Sequence, residues 1–188
     1  LIALMLAQRN LALSIDAIDI DNAAIKQAED NIKHSPFDDR VKSYAISLQQ
    51  MAEKTDKKYD AIVSNPPYFI NSLKSPDVQR SLARHTDSLS VDELIALSSR
   101  LLSDKGRVSI IFPYEYADDL MEIAEKNGLY TSRVTTVFST PTSLPKRILL
   151  EFSRENITLV KDVLTIERER HAYTEEFTSL VKAFYLKM

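Results

Sequence analysis

The sequence predicts an α/β fold in which a mostly parallel sheet carries helices on both faces. Short apolar segments of strand length alternate with amphipathic segments of helical period, and the gaps between them are short. Polar residues directly follow two of the predicted strands, as in sheets whose carboxyl ends hold ligands. A chain of 188 residues is long enough to bury a sizeable core and corresponds to one domain.

Each predicted element has a local signal. Helices are expected at residues 1–9, 23–34, 49–54, 91–103, 116–127 and 175–185. Strands are expected at residues 14–20, 41–46, 59–64, 107–112, 129–138, 147–152 and 160–166. Asn22 and Ser90 are the expected N-caps of two helices, and Glu93 completes a capping box with Ser90. Gly106 is expected to end the connection that follows the capped helix, and Gly128 is expected to be a helix C-cap.

The composition excludes several classes of protein. The chain contains no cysteine, which excludes disulfides and thiolate zinc sites. The three histidines lie far apart without ligand spacing, so we expect no metal. No apolar run reaches the length of a membrane span, and we expect a cytoplasmic protein without a membrane partner. A net charge of −3 argues against a wholly basic nucleic-acid-binding surface, although local basic patches could still hold phosphates.

The strongest functional signal is the tetrad Asn65-Pro66-Pro67-Tyr68, which comes directly after the predicted strand at 59–64. With proline at about 5% of residues, a polar-Pro-Pro-aromatic tetrad arises by chance in well under ~1% of chains of this length. The carboxyl end of a strand is also where open α/β sheets bind ligands. The alternative interpretation is a turn stiffened by two prolines.

The residue types of the tetrad fit the chemistry of a planar amine. The lone pair of an exocyclic amine on a base is delocalised into the ring, so the nitrogen is a poor nucleophile. Two acceptors that bind both N–H hydrogens would make the nitrogen tetrahedral, and these acceptors could be the side-chain oxygen of Asn65 and the carbonyl of Pro66. The prolines fix the backbone, and Tyr68 offers a flat face for stacking. This chemistry requires positioning and electrostatics but no metal or covalent intermediate.

A second signal lies at the end of the first predicted strand, in Ala17-Ile18-Asp19-Ile20-Asp21. An acid at this point of a dinucleotide fold binds the ribose hydroxyls of the cofactor, about 20 residues after a Gly-rich loop. Counting back from Asp19 places that loop before Leu1, and the chain has only two glycines. We therefore expect that the first strand and the Gly-rich loop are missing from this chain. The alternative role for Asp19 is a solvated helix cap.

These motifs resemble the Rossmann-like class I S-adenosylmethionine-dependent methyltransferases that carry an N-P-P-Y motif. Within them, the chain resembles the tRNA1(Val) adenine-37 N6-methyltransferase family. The similarity extends over essentially the whole chain, through residues 4–9, 31–36, 64–69, 83–86, 144–150 and 183–186. The N-P-P-Y core is shared by a wide superfamily, whereas Leu-Pro-Lys-Arg at 144–147 and Ala-Phe-Tyr-Leu at 183–186 point to this family.

The resemblance implies S-adenosylmethionine as cofactor and tRNA as partner, with residues 1–188 forming one N-terminally truncated methyltransferase domain. Asp19 would hold the cofactor ribose, while Asn65, Pro66 and Tyr68 would hold the target adenine, with Asn65 also beside the cofactor. Ser47 lies where many relatives carry an acid for the cofactor adenine. That contact would therefore be weaker, or would be made by the backbone of Leu48.

Further substrate contacts are expected around the tetrad. Pro67 and Phe69 would border the target base, although Phe69 could instead anchor the loop. Arg84 follows the tetrad beside Arg80 and His85, and would contact RNA phosphates, order the loop or lie in solvent. Lys146 and Arg147, at the start of a predicted strand, are better candidates for phosphate contacts. The candidate substrate-binding residues are therefore Pro67, Phe69, Arg84, Lys146 and Arg147.

Two other functions are compatible with the tetrad. The same four residues serve methyltransferases that modify a glutamine side-chain amide of a translation release factor, because a planar amide poses the same chemical problem. A non-catalytic binding module that kept the fold without the cofactor loop is the other alternative. For the truncated chain we also expect weak cofactor binding and possible self-association, because the loss of a central strand exposes sheet edges.

Overall fold

The computed structural model describes residues 1–66 and 89–185 of the chain. The helices are α1 Ile2–Arg9, α2 Asn22–Lys33, α3 Leu48–Lys54, α4 Val91–Leu101, α5 Ala117–Lys126 and α6 Glu175–Val181, with a 3-10 turn at Tyr114–Tyr116. The strands are β1 Ile15–Asp19, β2 Val41–Ala45, β3 Tyr59–Ser64, β4 Leu102–Pro113, β5 Tyr130–Phe138, β6 Arg147–Ser153, β7 Val160–Thr165, β8 Glu167–Glu169 and β9 Ala172–Tyr173. None of the helices in these ranges is long and apolar enough to cross a membrane.

Local sequence signals account for most of the element boundaries. The predicted capping box is present at α4, where the Glu93 N–H donates to Ser90 Oγ and the Ser90 N–H donates to Glu93 Oε2, both at 3.1 Å. Gly128 follows α5 with φ of 72°, the left-handed conformation that the predicted C-cap requires. The alternation of helices and strands is therefore confirmed element by element.

Beyond shifts of one or two residues at element ends, the structure departs from the prediction at one helix cap, two element boundaries and two short strands. The N-cap of α2 is Asp21 rather than Asn22, because Asp21 Oδ1 accepts the N–H of Ala23 at 2.8 Å. The last helix ends at Val181 rather than at residue 185, and the short strands β8 and β9 were not predicted. The strand β4 begins at Leu102, five residues earlier than expected.

Gly106 explains the early start of β4. It does not end a connection but lies inside the strand, where a Cβ would come within 2.8 Å of the Tyr59 carbonyl oxygen and 2.7 Å of Leu102. The pairing of β3 with β4 shifts register at this point. The missing side chain thus permits a close backbone approach within an irregular stretch of the ladder.

The chain divides into two compact units, residues 1–55 and residues 56–188. In the first unit, β1 and β2 form a two-stranded parallel sheet in which Ile15 pairs with Val41 and Asp19 pairs with Ala45. The buried cluster of this unit consists of Ala7, Ile32 and Val41, with Ala3, Leu4, Ile15 and Phe37 packed against it.

Arg40 ties the first unit together. Its guanidinium donates to the backbone carbonyls of Ala7, Asn10 and Leu13 at 2.7, 3.1 and 3.2 Å. It also lies 4.9 Å from the centroid of the Phe37 ring. Because the last carbonyls of a helix lack intrahelical partners, this cation satisfies the end of α1 and fixes it to the start of β2.

The second unit contains a five-stranded sheet in the order β3-β4-β6-β5-β7. The pairs β3–β4 and β5–β7 are parallel, whereas β6 runs antiparallel to both β4 and β5. The strands β3, β4, β5 and β7 therefore all end at one edge of the sheet, where β6 begins. We call this edge of the second unit the carboxyl edge. With β1–β2 also parallel, the prediction of a mostly parallel sheet is confirmed.

The core of the second unit is built on β4 and β6. Three directly opposed pairs, Val108–Phe152, Ile110–Leu150 and Phe112–Ile148, are all at most 3% exposed. Alternation along both strands places these side chains on one face. The helices α4 and α5 contribute the other buried apolar side chains of this core, including Leu94, Ile95, Leu120 and Ala124.

Two neighbouring serines of α4 give a matched test of this packing. Ser98 is fully buried and its hydroxyl has no hydrogen-bond partner among the residues that the structure describes, whereas the Ser99 hydroxyl donates to the Asn127 carbonyl at 3.0 Å. A buried unpaired hydroxyl costs about 1–3 kcal/mol, so Ser98→Ala should raise the free energy of unfolding by about 1 kcal/mol.

Ser99→Ala is the control, because it makes the same change of helix propensity on the same helix. It should lower the free energy of unfolding by about 1 kcal/mol, since it leaves the Asn127 carbonyl unpaired. Urea unfolding of both variants measures the difference. A gain in stability for both would show that helix propensity, not the hydroxyl, decides the result.

Candidate active site

The tetrad begins where β3 ends. Ser64, the last residue of β3, pairs with Ile110 of β4, and Asn65 follows it directly at the carboxyl edge. The side chain of Asn65 is exposed, whereas Pro66 is buried. Because proline has no N–H to continue the ladder, the strand stops and Asn65 is left at the edge. Four of the predicted site residues, Pro67, Tyr68, Phe69 and Arg84, lie outside the described residues.

Two predicted phosphate contacts lie on the same edge. Arg147 pairs with Pro113 of β4 on one side and with Val137 of β5 on the other. Asn65 lies two strand spacings from Arg147 and, along the strand direction, two residues before the level at which Arg147 pairs with Pro113. At about 4.8 Å per strand and about 3.3 Å per residue, the Cα atoms of Asn65 and Arg147 are roughly 12 Å apart.

The backbone at Lys146 is fixed while its side chain is exposed. The Lys146 carbonyl accepts the N–H of Tyr114 at 3.2 Å and an N–H of the Arg147 guanidinium at 3.0 Å. The start of β6 is thereby tied to the end of β4. A cation on a fixed backbone at the edge of the sheet fits a phosphate contact.

Sequence reasoning missed Tyr114 as a site candidate. This residue follows β4 at the carboxyl edge, and its N–H is hydrogen-bonded to the Lys146 carbonyl. The residue is 43% exposed. An exposed aromatic ring beside an exposed cation suits the stacking of a base next to a phosphate. The signal was present in the sequence, since Pro113-Tyr114 repeats at the end of β4 the proline-aromatic order that follows β3.

Asp19 lies at the carboxyl end of β1 in the first unit. Its Oδ1 accepts the N–H of Asp21 at 2.9 Å, and no hydrogen bond in the described part of the chain uses Oδ2. The local bond holds the carboxylate in place, and the second oxygen is exposed and available as an acceptor. A fixed carboxylate with a free oxygen fits the ribose hydroxyls of a nucleoside cofactor.

The structure brings Ser47 and Leu48 close to Asp19. Asp19 pairs with Ala45 at the end of β2, and Ser47 follows two residues later, after a turn closed by the bond from the Ile46 N–H to the Tyr44 carbonyl. The Ser47 Oγ accepts the Gln50 N–H at 3.2 Å and caps α3. Its hydroxyl hydrogen is left to donate, and the first-turn N–H of Leu48 has no intrahelical acceptor. Contacts of this pair with the cofactor adenine stay a prediction.

No metal centre is evident in the ranges 1–66 and 89–185. Those residues contain no group of three or more histidine, cysteine, aspartate or glutamate side chains that could hold an ion. The polar groups at the strand ends are single acceptors and cations. Their arrangement suits the binding of a nucleoside in the first unit and of a polar planar group beside phosphates in the second.

The parallel strands, the acid that ends β1 and the tetrad that ends β3 define a Rossmann-like class I methyltransferase. Residues 1–117 match the family model described as the methyltransferase small domain. A tRNA1(Val) (adenine(37)-N6)-methyltransferase of Parabacteroides distasonis is 49% identical over 100% of this chain and 79% of its own length. The enzyme of the same name from Flavobacterium psychrophilum is 45% identical over 100% of this chain and 80% of its own length. The chain belongs to this methyltransferase family.

Solved structures agree on the fold. A predicted O-methyltransferase from Agrobacterium tumefaciens superposes with a TM-score of 0.70 at 15% identity, covering 94% of this chain and 80% of that one. A geranyl diphosphate methyltransferase in complex with GPP and sinefungin gives a TM-score of 0.56 at 13% identity, covering 81% of this chain and 67% of that one. At such identities the similarity concerns the fold alone.

The geometry at Asp19 predicts a selective loss of cofactor affinity. In the full-length protein, Asp19→Asn should weaken binding of S-adenosylmethionine about tenfold or more, because a ribose hydroxyl loses a charged acceptor. The amide oxygen can still accept the Asp21 N–H, so the strand end should stay folded. Isothermal titration calorimetry measures the affinity.

Asp21→Asn is the matched control two residues away. It removes the same charge, but asparagine caps a helix as well as aspartate does, so α2 should be kept. Cofactor affinity should change little. Equal losses for the two variants would show that the general negative charge of this region, and not the Asp19 carboxylate, favours the cofactor.

Proposed function

We propose that this chain catalyses the transfer of a methyl group from S-adenosylmethionine to N6 of an adenine in tRNA, at the adenosine 3′ of the anticodon. The observation that carries the proposal is the position of Asn65 and Pro66 at the carboxyl edge, on the same edge as the cations Lys146 and Arg147. The relatives with this function are similar along the whole chain. We assign the reaction to the cytoplasm because those relatives are named for a tRNA substrate.

The residues of β3's end supply the catalytic groups in this proposal. The Asn65 side-chain oxygen and the Pro66 carbonyl accept the two N–H hydrogens of the adenine amine and direct its lone pair outward. Both acceptors also stabilise the positive charge that develops on the nitrogen as the bond to carbon forms. When bound, S-adenosylmethionine would supply the methyl group: the bond from this carbon to the positively charged sulfur breaks as the bond to nitrogen forms, which leaves a neutral thioether, and one proton of the methylated amine is then released to solvent. Tyr68, which follows in the tetrad, stacks on the base.

A base-paired adenine cannot reach these acceptors. Its amine is occupied inside a duplex, so the target must be presented from a single-stranded loop. The phosphates that flank the target then need positive charge near the site, despite the net charge of −3 of the whole chain. Lys146 and Arg147, about 12 Å from Asn65, lie two strand spacings away and can hold such phosphates without contacting the amine.

The decisive test is a comparison of substrates. The purified full-length protein is incubated with labelled S-adenosylmethionine and either total tRNA or a translation release factor. Methylation of tRNA, located at the adenosine 3′ of the anticodon by mass spectrometry, is expected. Transfer to the release factor alone would overturn the RNA assignment, and transfer to neither would favour a non-catalytic module.

The role of Asn65 predicts a loss of rate without a loss of cofactor. Asn65→Ala should reduce the rate of methylation about a hundredfold or more, because the variant lacks one acceptor for the reacting amine. Asn65→Asp keeps an acceptor oxygen and should retain more activity than the alanine variant. Single-turnover assays measure the rates, and calorimetry should give nearly normal affinity for S-adenosylmethionine. Cofactor binding that disappears with the Asn65 side chain would contradict this role.

The cations at the start of β6 predict a change in salt dependence. Lys146→Ala/Arg147→Ala should raise the KM for tRNA and flatten the plot of log affinity against log salt by about one to two units of slope. Cofactor affinity should not change.

A second pair of exposed cations serves as the control for this prediction. Arg100 and Lys105 lie at the opposite edge of the same unit, at the end of α4 and near the start of β4. Arg100→Ala/Lys105→Ala removes the same charge and should leave the salt slope close to that of the unaltered protein. If both double variants flatten the slope equally, RNA binding depends on the net charge of the protein and not on the cations of the carboxyl edge.

A further inference from the structure

The hairpin of β8 and β9 lies at the carboxyl edge, directly after β7. Its base is held by backbone bonds from Ile166 N–H to the Phe138 carbonyl and from Glu167 N–H to the Ser139 carbonyl, both at 2.9 Å. The Thr174 N–H donates to the Ile166 carbonyl at 2.9 Å, which closes the hairpin. We call residues 167–173 the edge hairpin. It is thereby joined to the β5–β6 loop, which ends in Lys146.

The tip of the edge hairpin carries two arginines and a histidine. Arg168, Arg170 and His171 are exposed, and none of them forms a hydrogen bond or ion pair within the described ranges. Elsewhere in this unit, Arg107 and Arg133 are paired with carboxylates at 2.7 and 2.6 Å. The hairpin arginines are thus available to an external anion.

The backbone at the tip of the hairpin takes up a left-handed conformation at His171. Its φ is 66°, a conformation that glycine adopts without cost and that other residues adopt rarely. In a two-residue hairpin loop, glycine would be the favoured residue at such a position. An imidazole at this position is consistent with a use for the side chain, because strain of this kind concentrates at functional positions.

The edge hairpin also carries two acids. Glu167 and Glu169 belong to β8 and pair with Tyr173 and Ala172, with a register irregularity between the two pairs. Over residues 167–173 the two arginines and two glutamates balance. A phosphate contact here would therefore depend on the individual guanidinium groups and not on a net positive charge. The exposed ring of Tyr173, which packs against Phe177 at 5.4 Å, adds a stacking surface.

We propose that the edge hairpin is a second RNA contact, which holds backbone phosphates of the helical stem next to the loop that presents the target adenine. This inference rests on the proposed function. From Asn65 on β3 to the hairpin after β7 there are four strand spacings, or about 19 Å. A stacked strand advances about 3.4 Å per nucleotide, so the hairpin meets the RNA about six nucleotides from the target.

That distance separates the hairpin from the contacts beside the active site. Lys146 and Arg147 reach phosphates that flank the target, within the loop. Six nucleotides extend beyond a small loop into its stem, where the strand is paired and recognition depends on phosphates and shape. The edge hairpin would therefore select for a stem-loop over a free single strand, without reading a sequence.

The test compares an RNA that is long enough to contact the edge hairpin with one that is too short to do so. One is a stem-loop of tRNA anticodon-arm length, and the other is a linear oligonucleotide of about seven residues centred on the same adenine. In the full-length protein, Arg168→Ala/Arg170→Ala should raise the Kd for the stem-loop about tenfold at low salt and flatten its salt slope by one to two units. The Kd for the linear oligonucleotide should not change. Arg100→Ala/Lys105→Ala should alter neither.

His171→Gly gives an independent variant that cannot fail by unfolding through strain. Glycine relieves the positive φ, so the melting temperature should equal or exceed that of the unaltered protein. Affinity for the stem-loop should nevertheless fall, because the imidazole is gone. Weaker binding by a protein of equal or greater stability is a result that a purely structural hairpin would not give.

The outcomes separate this inference from the proposed function. Stem-loop binding that is unaffected in the hairpin variants, in a protein that still methylates tRNA, overturns the inference and leaves the proposed function standing. An equal loss for the linear oligonucleotide also overturns it, because the contact would then lie beside the target. If the unaltered protein methylates no RNA, both fail together.

Discussion

The pairing of β4 with β6 is the constraint on which the geometry of the second unit depends. Its three buried pairs, Val108–Phe152, Ile110–Leu150 and Phe112–Ile148, fill one face of the sheet. A slip of one residue would turn all six side chains to the other face, so the register is strongly specified. Since β3 pairs with β4 and Arg147 begins β6, this register also sets the separation between Asn65 and Arg147. Apolar packing in the core thus determines distances at the edge.

The distribution of charge follows the same edge. The whole chain carries a net charge of −3, yet Lys146, Arg147 and the edge-hairpin arginines all lie at the carboxyl edge, at the start of β6 and after the end of β7. A polyanion that approaches this edge meets positive charge at several points, although the protein as a whole is acidic. Because these cations are spaced along one edge, a small number of side chains can contact a long stretch of a polyanion's backbone.

Short-range signals explain why the sequence predicted so much of the fold. Capping residues, strand periods and the polar residues after β1 and β3 are readable locally, and they placed Asp19 and Asn65 at the ends of strands, whereas their roles in the site stay predictions. The edge hairpin was not predicted because its strands have three and two residues, too few for any period. Gly106 was predicted to end a connection between two elements. The close backbone approach that explains this glycine involves a partner strand more than forty residues away in the sequence, which no local signal shows. Asp21 and Asn22 are both good caps, and only the hydrogen bond decides between them.

The distance between acceptors and cations also serves the chemistry. During methyl transfer the adenine nitrogen becomes positively charged, so a cation beside it would oppose the reaction. A unit charge 4 Å away at an effective dielectric constant of 20 would cost about 4 kcal/mol, and the cost falls in inverse proportion to the separation of the charges. Salt reduces it further beyond the Debye length of about 8 Å at physiological ionic strength. In the proposed reaction Asn65 and Pro66 are neutral acceptors for the amine, whereas Lys146 and Arg147 lie at the start of a strand two places away in the sheet and would hold the flanking phosphates. With neutral acceptors at the amine and cations two strands away, the proposed site would bind a polyanion without opposing the positive charge that develops on the adenine nitrogen.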